Sequence, residues 1–151
     1  MLIKSKPSKQ ELISLIKIYK SSFKVHNILT KKEKDLLIYF KGKEILIAKD
    51  KEVLGGLMIK NTEKHKTHKT WKINHLAVSE KHRGKGIAMS LVKRAEKEIK
   101  SKSKTAKIEV SVAETEKQIL KFWKKLKYKL EGKLRSHYRH KELVYVLGKE
   151  L

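Results

Sequence analysis

The segment Lys81-His82-Arg83-Gly84-Lys85-Gly86-Ile87-Ala88 is the part of this chain best suited to hold a ligand. Glycine reaches positive φ and lets the backbone come close to a bound group. Directly after the bend, Ala88, Leu91, Val92, Ala95 and Ile99 recur at helical spacing, so a helix begins at once. The free N–H groups of its first turn, and its dipole, favour an anion there. Arg83 and Lys85 are read as mobile positive charge. Several charge-assisted hydrogen bonds at roughly 1.5–3 kcal/mol each would hold a diphosphate.

The diphosphate can be narrowed. A P-loop needs Gly, four residues, then Gly-Lys-Ser/Thr, and that pattern is absent. A dinucleotide fingerprint needs Gly-x-Gly-x-x-Gly, but Met89 stands where its third glycine belongs. Glu109 does lie at about the distance of a ribose contact, so a nicotinamide-type reading stays open. The order of elements speaks against it, because that motif normally follows the first strand of its domain.

The elements around the bend can be read from pattern. Pro7 to Phe23 is expected as a helix, with Ser8 and Glu11 as a capping box and Leu12, Leu15, Ile16, Tyr19 and Phe23 on one face. Thr30 and Glu33 suggest a second box before a helix through Leu36, Leu37 and Phe40, stopped at Gly42. Glu44 to Ala48 and Val53 to Ile59 read as a hairpin, Asn61 to Thr70 as a basic loop, and Trp71 to Val78 as a strand. Lys107 to Val112 alternates as a strand. Thr115 and Gln118 suggest a third capping box before Ile119, Phe122, Trp123 and Leu126. Two short strands, Tyr128 to Glu131 and Glu142 to Leu147, close the order. No Gly-, Pro- or Ser-rich linker interrupts it, so residues 1–151 are expected to form a single domain of α/β (α+β, mixed-sheet) class.

Composition bounds the function. Lys and Arg number 39 against 16 Asp and Glu, a formal charge of +23, which draws polyanions. The lysines are spread along the whole chain, so generic surface filler explains most of them; nucleic acid is a possible partner but not the favoured one. Without cysteine there is no disulfide or thiolate chemistry, which suits a reducing cytoplasm. No long apolar stretch opens the chain, so neither signal peptide nor membrane span is expected. His65-x-x-His68 and His137-x-x-His140 sit in expected loops without a carboxylate to complete a site, so no metal is assigned.

The junction resembles the GNAT acetyltransferase superfamily, whose signature Gln/Arg-x-x-Gly-x-Gly/Ala lies where a strand ending in a Leu-x-Val-like run meets a helix. Leu76-Ala77-Val78 matches the strand and Lys81 to Gly86 the loop, with Lys81 where Gln or Arg is usual. The likeness runs essentially from Leu12 to the C-terminus. It implies a central, mostly antiparallel sheet flanked by helices and splayed at the cofactor site, with acetyl-CoA as cosubstrate in the gap. It also implies that backbone groups of Leu76, Ala77 and Val78 pair with the pantetheine arm. The loop from Lys81 and His82 through Arg83, Gly84, Lys85, Gly86, Ile87 and Ala88 would hold the pyrophosphate.

The chain departs from the family pattern in places. The last helix usually carries Asn-x-x-Ala-x-x-x-Tyr, whereas Glu116 and Trp123 stand at the Asn and Tyr positions here. Indole cannot protonate a departing thiolate, so Trp123 is read as a core aromatic, and water or Tyr138 is left for that task. Relatives often place a Glu on the motif strand where Lys72 lies here, leaving His75, or Glu109 on the neighbouring strand, as candidate base. Arg135 to His140, followed by a final strand, is similar to RimI-like and other protein N-terminal acetyltransferases, with Tyr138 matching one of two substrate-side tyrosines. The implied acceptor is an amine, on a protein N-terminus or lysine rather than a free polyamine, which so cationic a chain should repel. A CoA-binding module without transfer, and a small-molecule amine acetyltransferase, remain as alternatives.

Overall fold

A computed structural model describes residues 1–151, the side chain of Lys64 excepted. The strands are β1 (Leu2–Ser5), β2 (Glu44–Lys49), β3 (Val53–Lys64), β4 (His68–Val78), β5 (Thr105–Ala113), β6 (Lys129–Arg135) and β7 (Leu143–Glu150). The helices are α1 (Lys9–Ser22), α2 (Glu33–Phe40), α3 (Ile87–Lys102) and α4 (Leu120–Lys125). The sheet has seven strands in the order β1-β2-β3-β4-β5-β7-β6. β4 and β5 pair in parallel, while β1–β2, β2–β3, β5–β7 and β6–β7 are antiparallel. Among the described residues no helix is long and apolar enough to cross a membrane.

By their internal contacts the residues group into two compact units, Met1–Lys60 with His75–Lys97, and Asn61–Asn74 with Glu98–Leu151. In the first, Ser8 caps α1: its Oγ accepts from the Glu11 amide at 3.2 Å while Glu11 Oε2 accepts from the Ser8 amide at 2.8 Å. Glu11 also accepts from Lys49 at 2.7 Å and Lys4 at 3.0 Å, tying α1 to the strands beside it. Leu15, Ile16, Tyr19, Leu36 and Phe40 bury their side chains with Ile45, Ile47, Met58 and Ala77 in one apolar cluster. Each leucine, isoleucine, phenylalanine or methionine among them contributes about 1.5–3 kcal/mol by leaving water. In the second unit Ala106, Ile108, Val110 and Val112 alternate inward along β5, as their spacing predicts.

Several boundaries differ from the sequence reading, each for a physical reason. Thr30 does not cap α2: its Oγ1 donates to the His26 carbonyl at 2.9 Å, and Lys32 takes the N-cap position without a side-chain bond. No α-helix starts at Thr115 either. A 3-10 turn spans Glu114–Ile119, broken by Glu116 at φ −117° and ψ 17°, and α4 begins only at Leu120. Much of the expected basic loop at Asn61 to Thr70 is strand, held by Asn61 Nδ2 and Thr62 Oγ1 donating to the Thr70 carbonyl at 3.0 and 3.1 Å. The tip residues Thr62, Glu63 and His65 to His68 are exposed, which removes the apolar alternation that marks a strand. β1 was not anticipated, because a single apolar pair, Leu2-Ile3, carries too little pattern; its pairing with Leu46 to Lys49 makes it a strand.

Candidate functional site

The bend and its strand belong to the first unit. β4 ends at Val78, a 3-10 turn covers Glu80–His82, and α3 starts at Ile87. Gly84 and Gly86 lie at φ +76° and +77°, the left-handed region where side chains are strained. A Cβ at either would meet nothing within 4 Å, so conformation rather than crowding calls for glycine, and the backbone there faces open space. The Ser90 amide donates to the Gly86 carbonyl at 3.0 Å. The amides of Ile87, Ala88 and Met89 precede that first helical bond and are the orphan donors of the helix start. Two left-handed glycines leading into those donors suit a diphosphate.

The basic side chains behave differently from the sequence reading. Arg83 is not a mobile charge: its Nε donates to the Val78 carbonyl at 3.1 Å and its Nη2 to Ser22 Oγ at 3.3 Å. Lys81 lies 2.7 Å from Glu52, whose carboxyl is drawn below its ordinary range chiefly by that hydrogen bond. His82 Nδ1 and Ser79 Oγ are 2.7 Å apart. Lys85 is exposed. These contacts brace the bend, leaving backbone amides as its principal ligand-facing groups.

The end of β4 is fixed just as closely. A Cβ on Gly55 of β3 would lie 2.5 Å from the Ala77 carbonyl oxygen and 3.0 Å from Val78 Cα. Glycine there lets the two backbones touch, and the Ser79 amide donates to the Leu54 carbonyl at 2.8 Å. Ala77 and Val78 are buried and Leu76 half-buried.

His75, one residue upstream, has φ +55° inside β4, a conformation that costs a non-glycine residue roughly 1–2 kcal/mol. Its ring is surrounded by aromatic groups, with centroids of Tyr19, Tyr39 and Phe40 about 6 Å away and that of His26 at 5.1 Å. Its Nε2 and the Tyr39 hydroxyl share a hydrogen bond at 3.3 Å. Burial, with His26 and Lys43 adding like charge, holds His75 at about 3, so the ring is neutral near pH 7. Burial also raises Tyr39 and keeps its phenol protonated. Sequence reading missed Tyr39 and His26. Tyr39 looked like an ordinary turn of an amphipathic helix, and no spacing rule connects it with a residue 36 positions away.

Glu109 and Tyr138 lie in the second unit. Glu109 stands opposite Lys72 in the β4–β5 register, their charged atoms 3.9 Å apart. Tyr138, in the turn between β6 and β7, is 46% exposed and stacks edge-on against His137. Trp123 is 3% exposed and packs on Phe122 and Tyr128, with ring centroids 5.1 and 5.0 Å away.

Comparison with known proteins adds independent findings. The model of the acetyltransferase (GNAT) family matches residues 12–128. No curated protein matches the chain. Among solved structures, a ribosomal-protein-alanine N-acetyltransferase from Brucella melitensis superimposes with a TM-score of 0.79 at 13% identity, covering 100% of both chains. An aminoglycoside 6'-N-acetyltransferase complexed with coenzyme A gives 0.78 at 16% identity, covering 99% of this chain and 97% of that one. NAA60 of Arabidopsis thaliana, in complex with a bisubstrate analogue, gives 0.79 at 15% identity over 99% and 98%. At such identities these likenesses establish the fold.

Proposed function

The chain belongs to the GNAT acetyltransferase family, and from that premise we propose that it is a single-domain enzyme, residues 1–151, acetylating amines carried by proteins. Acetyl-CoA is the cosubstrate of this family. The observation that carries the site assignment is the pair of left-handed glycines, Gly84 and Gly86, opening onto the first turn of α3.

In this reading the amides from Gly84 to Ala88 hold the diphosphate, the Arg83 amide being taken by the Glu80 carbonyl at 3.2 Å, and backbone groups of Leu76, Ala77 and Val78 pair with the pantetheine arm. Lys81 and His82 brace the bend, and Lys85 supplies long-range attraction. The neutral amine attacks the thioester carbonyl carbon, the C–S bond breaks, and the proton shed by the nitrogen balances the thiolate released. Glu109 is the candidate acceptor for that proton and Tyr138 the candidate donor. An imidazole held at about 3 is a poor acceptor for an ammonium proton, so we assign His75 a positioning role through Tyr39. The absence of cysteine suits a reducing cytoplasm.

A protein acceptor is supported by charge. At +23 the chain repels free polyamines, whereas an amine on an acidic protein arrives with net attraction. The test is thiol release from acetyl-CoA with a mixed library of peptides bearing free α-amines and lysines, run beside a polyamine and an aminoglycoside. Faster release with peptides supports the reading, and release only with small amines overturns it. CoA binding without release by any amine would leave a binding module.

A further inference from the structure

The lysines of this chain are spread along its sequence, but folding brings two lysine-rich stretches of the second unit together. One is the turn from β3 into β4, with Lys66 and Lys69. The other joins α3 to β5, with Lys100, Lys102 and Lys104. A run of hydrogen bonds holds them side by side. The Thr67 carbonyl accepts from the Thr105 amide at 3.1 Å and from its hydroxyl at 2.9 Å. His68 Nδ1 and Thr105 Oγ1 are 2.9 Å apart, and their residues open the parallel β4–β5 ladder. Lys69 Nζ donates to the Lys102 carbonyl at 2.6 Å, and Trp71 Nε1 to Ser103 Oγ at 3.1 Å. The Lys102 amine in turn stands 5.7 Å from the centre of the Trp71 ring. A patch mounted this firmly loses little backbone freedom when a partner binds.

Its charge is not cancelled nearby in the chain. Residues 64–74 and 99–108 contain no Asp or Glu, and Glu63 and Glu98 stand at their borders. Farther along the strands Lys72 and Lys107 are matched by Glu109 and Glu131. Lys66, Lys100 and Lys104 are exposed, and none of the three forms an ion pair among the described residues. A partner that meets this surface must be an anion.

The class of anion follows from what the surface lacks. Among the described residues, no exposed large apolar side chain falls within 61–72 or 98–107. A protein partner is held by an apolar or aromatic centre, and a membrane surface by an inserted apolar face. Nucleic acid needs neither, because surface lysines grip its phosphates and the released counterions supply the affinity. The five cations are all lysine, point charges on flexible stems, which suit phosphates rather than a planar bidentate contact. We infer that Lys66 and Lys69, with Lys100, Lys102 and Lys104, bind the phosphate backbone of a nucleic acid without reading its sequence. This surface does not depend on the acetyltransferase reading.

The test titrates the full chain into a fluorescein-labelled 20-base-pair duplex, made as DNA and as RNA, and reads anisotropy from 50 to 200 mM salt. Five phosphate contacts predict a slope of log K against log salt of about −4, a loss on the order of a few hundredfold across that range. The triple variant Lys66→Gln, Lys100→Gln, Lys104→Gln should bind at least about tenfold more weakly at 100 mM salt, with a slope shallower by about 2–3. A second triple variant, Lys9→Gln, Lys41→Gln, Lys51→Gln, removes equal charge from exposed positions of the first unit. It should change the slope by less than about 1. All six changes are at exposed side chains, so each variant should keep its Tm within about 4 °C of the unmodified chain. Equal slopes in the two triple variants, or no binding to either duplex at 50 mM salt, overturns the proposal. So does labelled polyglutamate of twenty residues binding as tightly as the duplexes, which would make the partner an acidic protein.

Discussion

Nε2 of His75 stands 3.3 Å from the hydroxyl of Tyr39, at a left-handed position of β4 where the imidazole is held neutral. A group that titrates near 3 contributes no inflection to a rate measured from pH 6 to 9. His75→Gln and Tyr39→Phe should therefore lower kcat by one factor at every pH in that range, leaving the shape of the profile intact. An inflection between pH 6 and 8 that vanishes in His75→Gln would make His75 the proton acceptor.

The same group makes stability depend on pH. Its folded pKa, about 3, lies below the ordinary 6.5, so between those values the unfolded chain binds a proton that the folded chain refuses. Stability is full above 6.5 and declines as pH falls toward 3. Glu11, held at about 2 chiefly by Lys49, adds a second decline below 4.5. From pH 7 to 5 the comparison with His75→Gln isolates the histidine's part. The unmodified chain should lose about 2 kcal/mol more than His75→Gln over that interval, or on the order of 4–8 °C in Tm. Parallel melting curves for the two would contradict this.

Gly55 offers a test that leaves the bend untouched. Its missing Cβ is what allows the Ala77 carbonyl within 2.5 Å of where that atom would stand, and the neighbour is backbone that cannot step aside. Gly55→Ala should cost about 1–3 kcal/mol. It should also raise the KM for acetyl-CoA, because the displaced residues are Ala77 and Val78. A destabilised variant with an unaltered acetyl-CoA KM would free that stretch of β4 from any part in cosubstrate binding.

Trp123 separates packing from chemistry. Its indole is buried against Phe122 and Tyr128, and its Nε1 makes no hydrogen bond. Removing an unpartnered N–H loses nothing polar. Trp123→Phe should cost about 1–2 kcal/mol through lost volume and keep kcat within about threefold, whereas Trp123→Ala should cost about 3–5 kcal/mol. A hundredfold loss of kcat in Trp123→Phe with normal stability would make the indole N–H part of the reaction.

The parts of the fold that were legible in the sequence are those written in local chemistry. Ser8 with Glu11 formed the box its spacing promised, and β5 alternates as its residues do. Gly84 and Gly86 sit at positive φ where a basic bend needs them. What escaped was decided by distant partners. Thr30 and Thr115 carry the same capping pattern as Ser8, but Thr30 turned to a carbonyl, and a 3-10 turn broken at Glu116 takes the stretch where a helix from Thr115 was expected. Arg83 looked like a phosphate ligand until the Val78 carbonyl and Ser22 claimed it. The aromatic setting that keeps His75 neutral gathers Tyr19, His26, Tyr39 and Phe40 from three separate stretches of chain, which no periodicity records.

Calorimetric titration of the full chain with CoA, beside Gly86→Glu, bears most directly on all of this. The exposed backbone at Gly86 admits a side chain without a clash, at a conformational cost of roughly 1–2 kcal/mol, so the variant should stay folded. Its carboxylate would stand among the amides assigned to the diphosphate. A diphosphate seat at Gly84 and Gly86 requires saturable heat with the unmodified chain and at least a hundredfold weaker binding by the folded variant. No heat at millimolar CoA from the folded, unmodified chain, or equal affinity in the two, would contradict it.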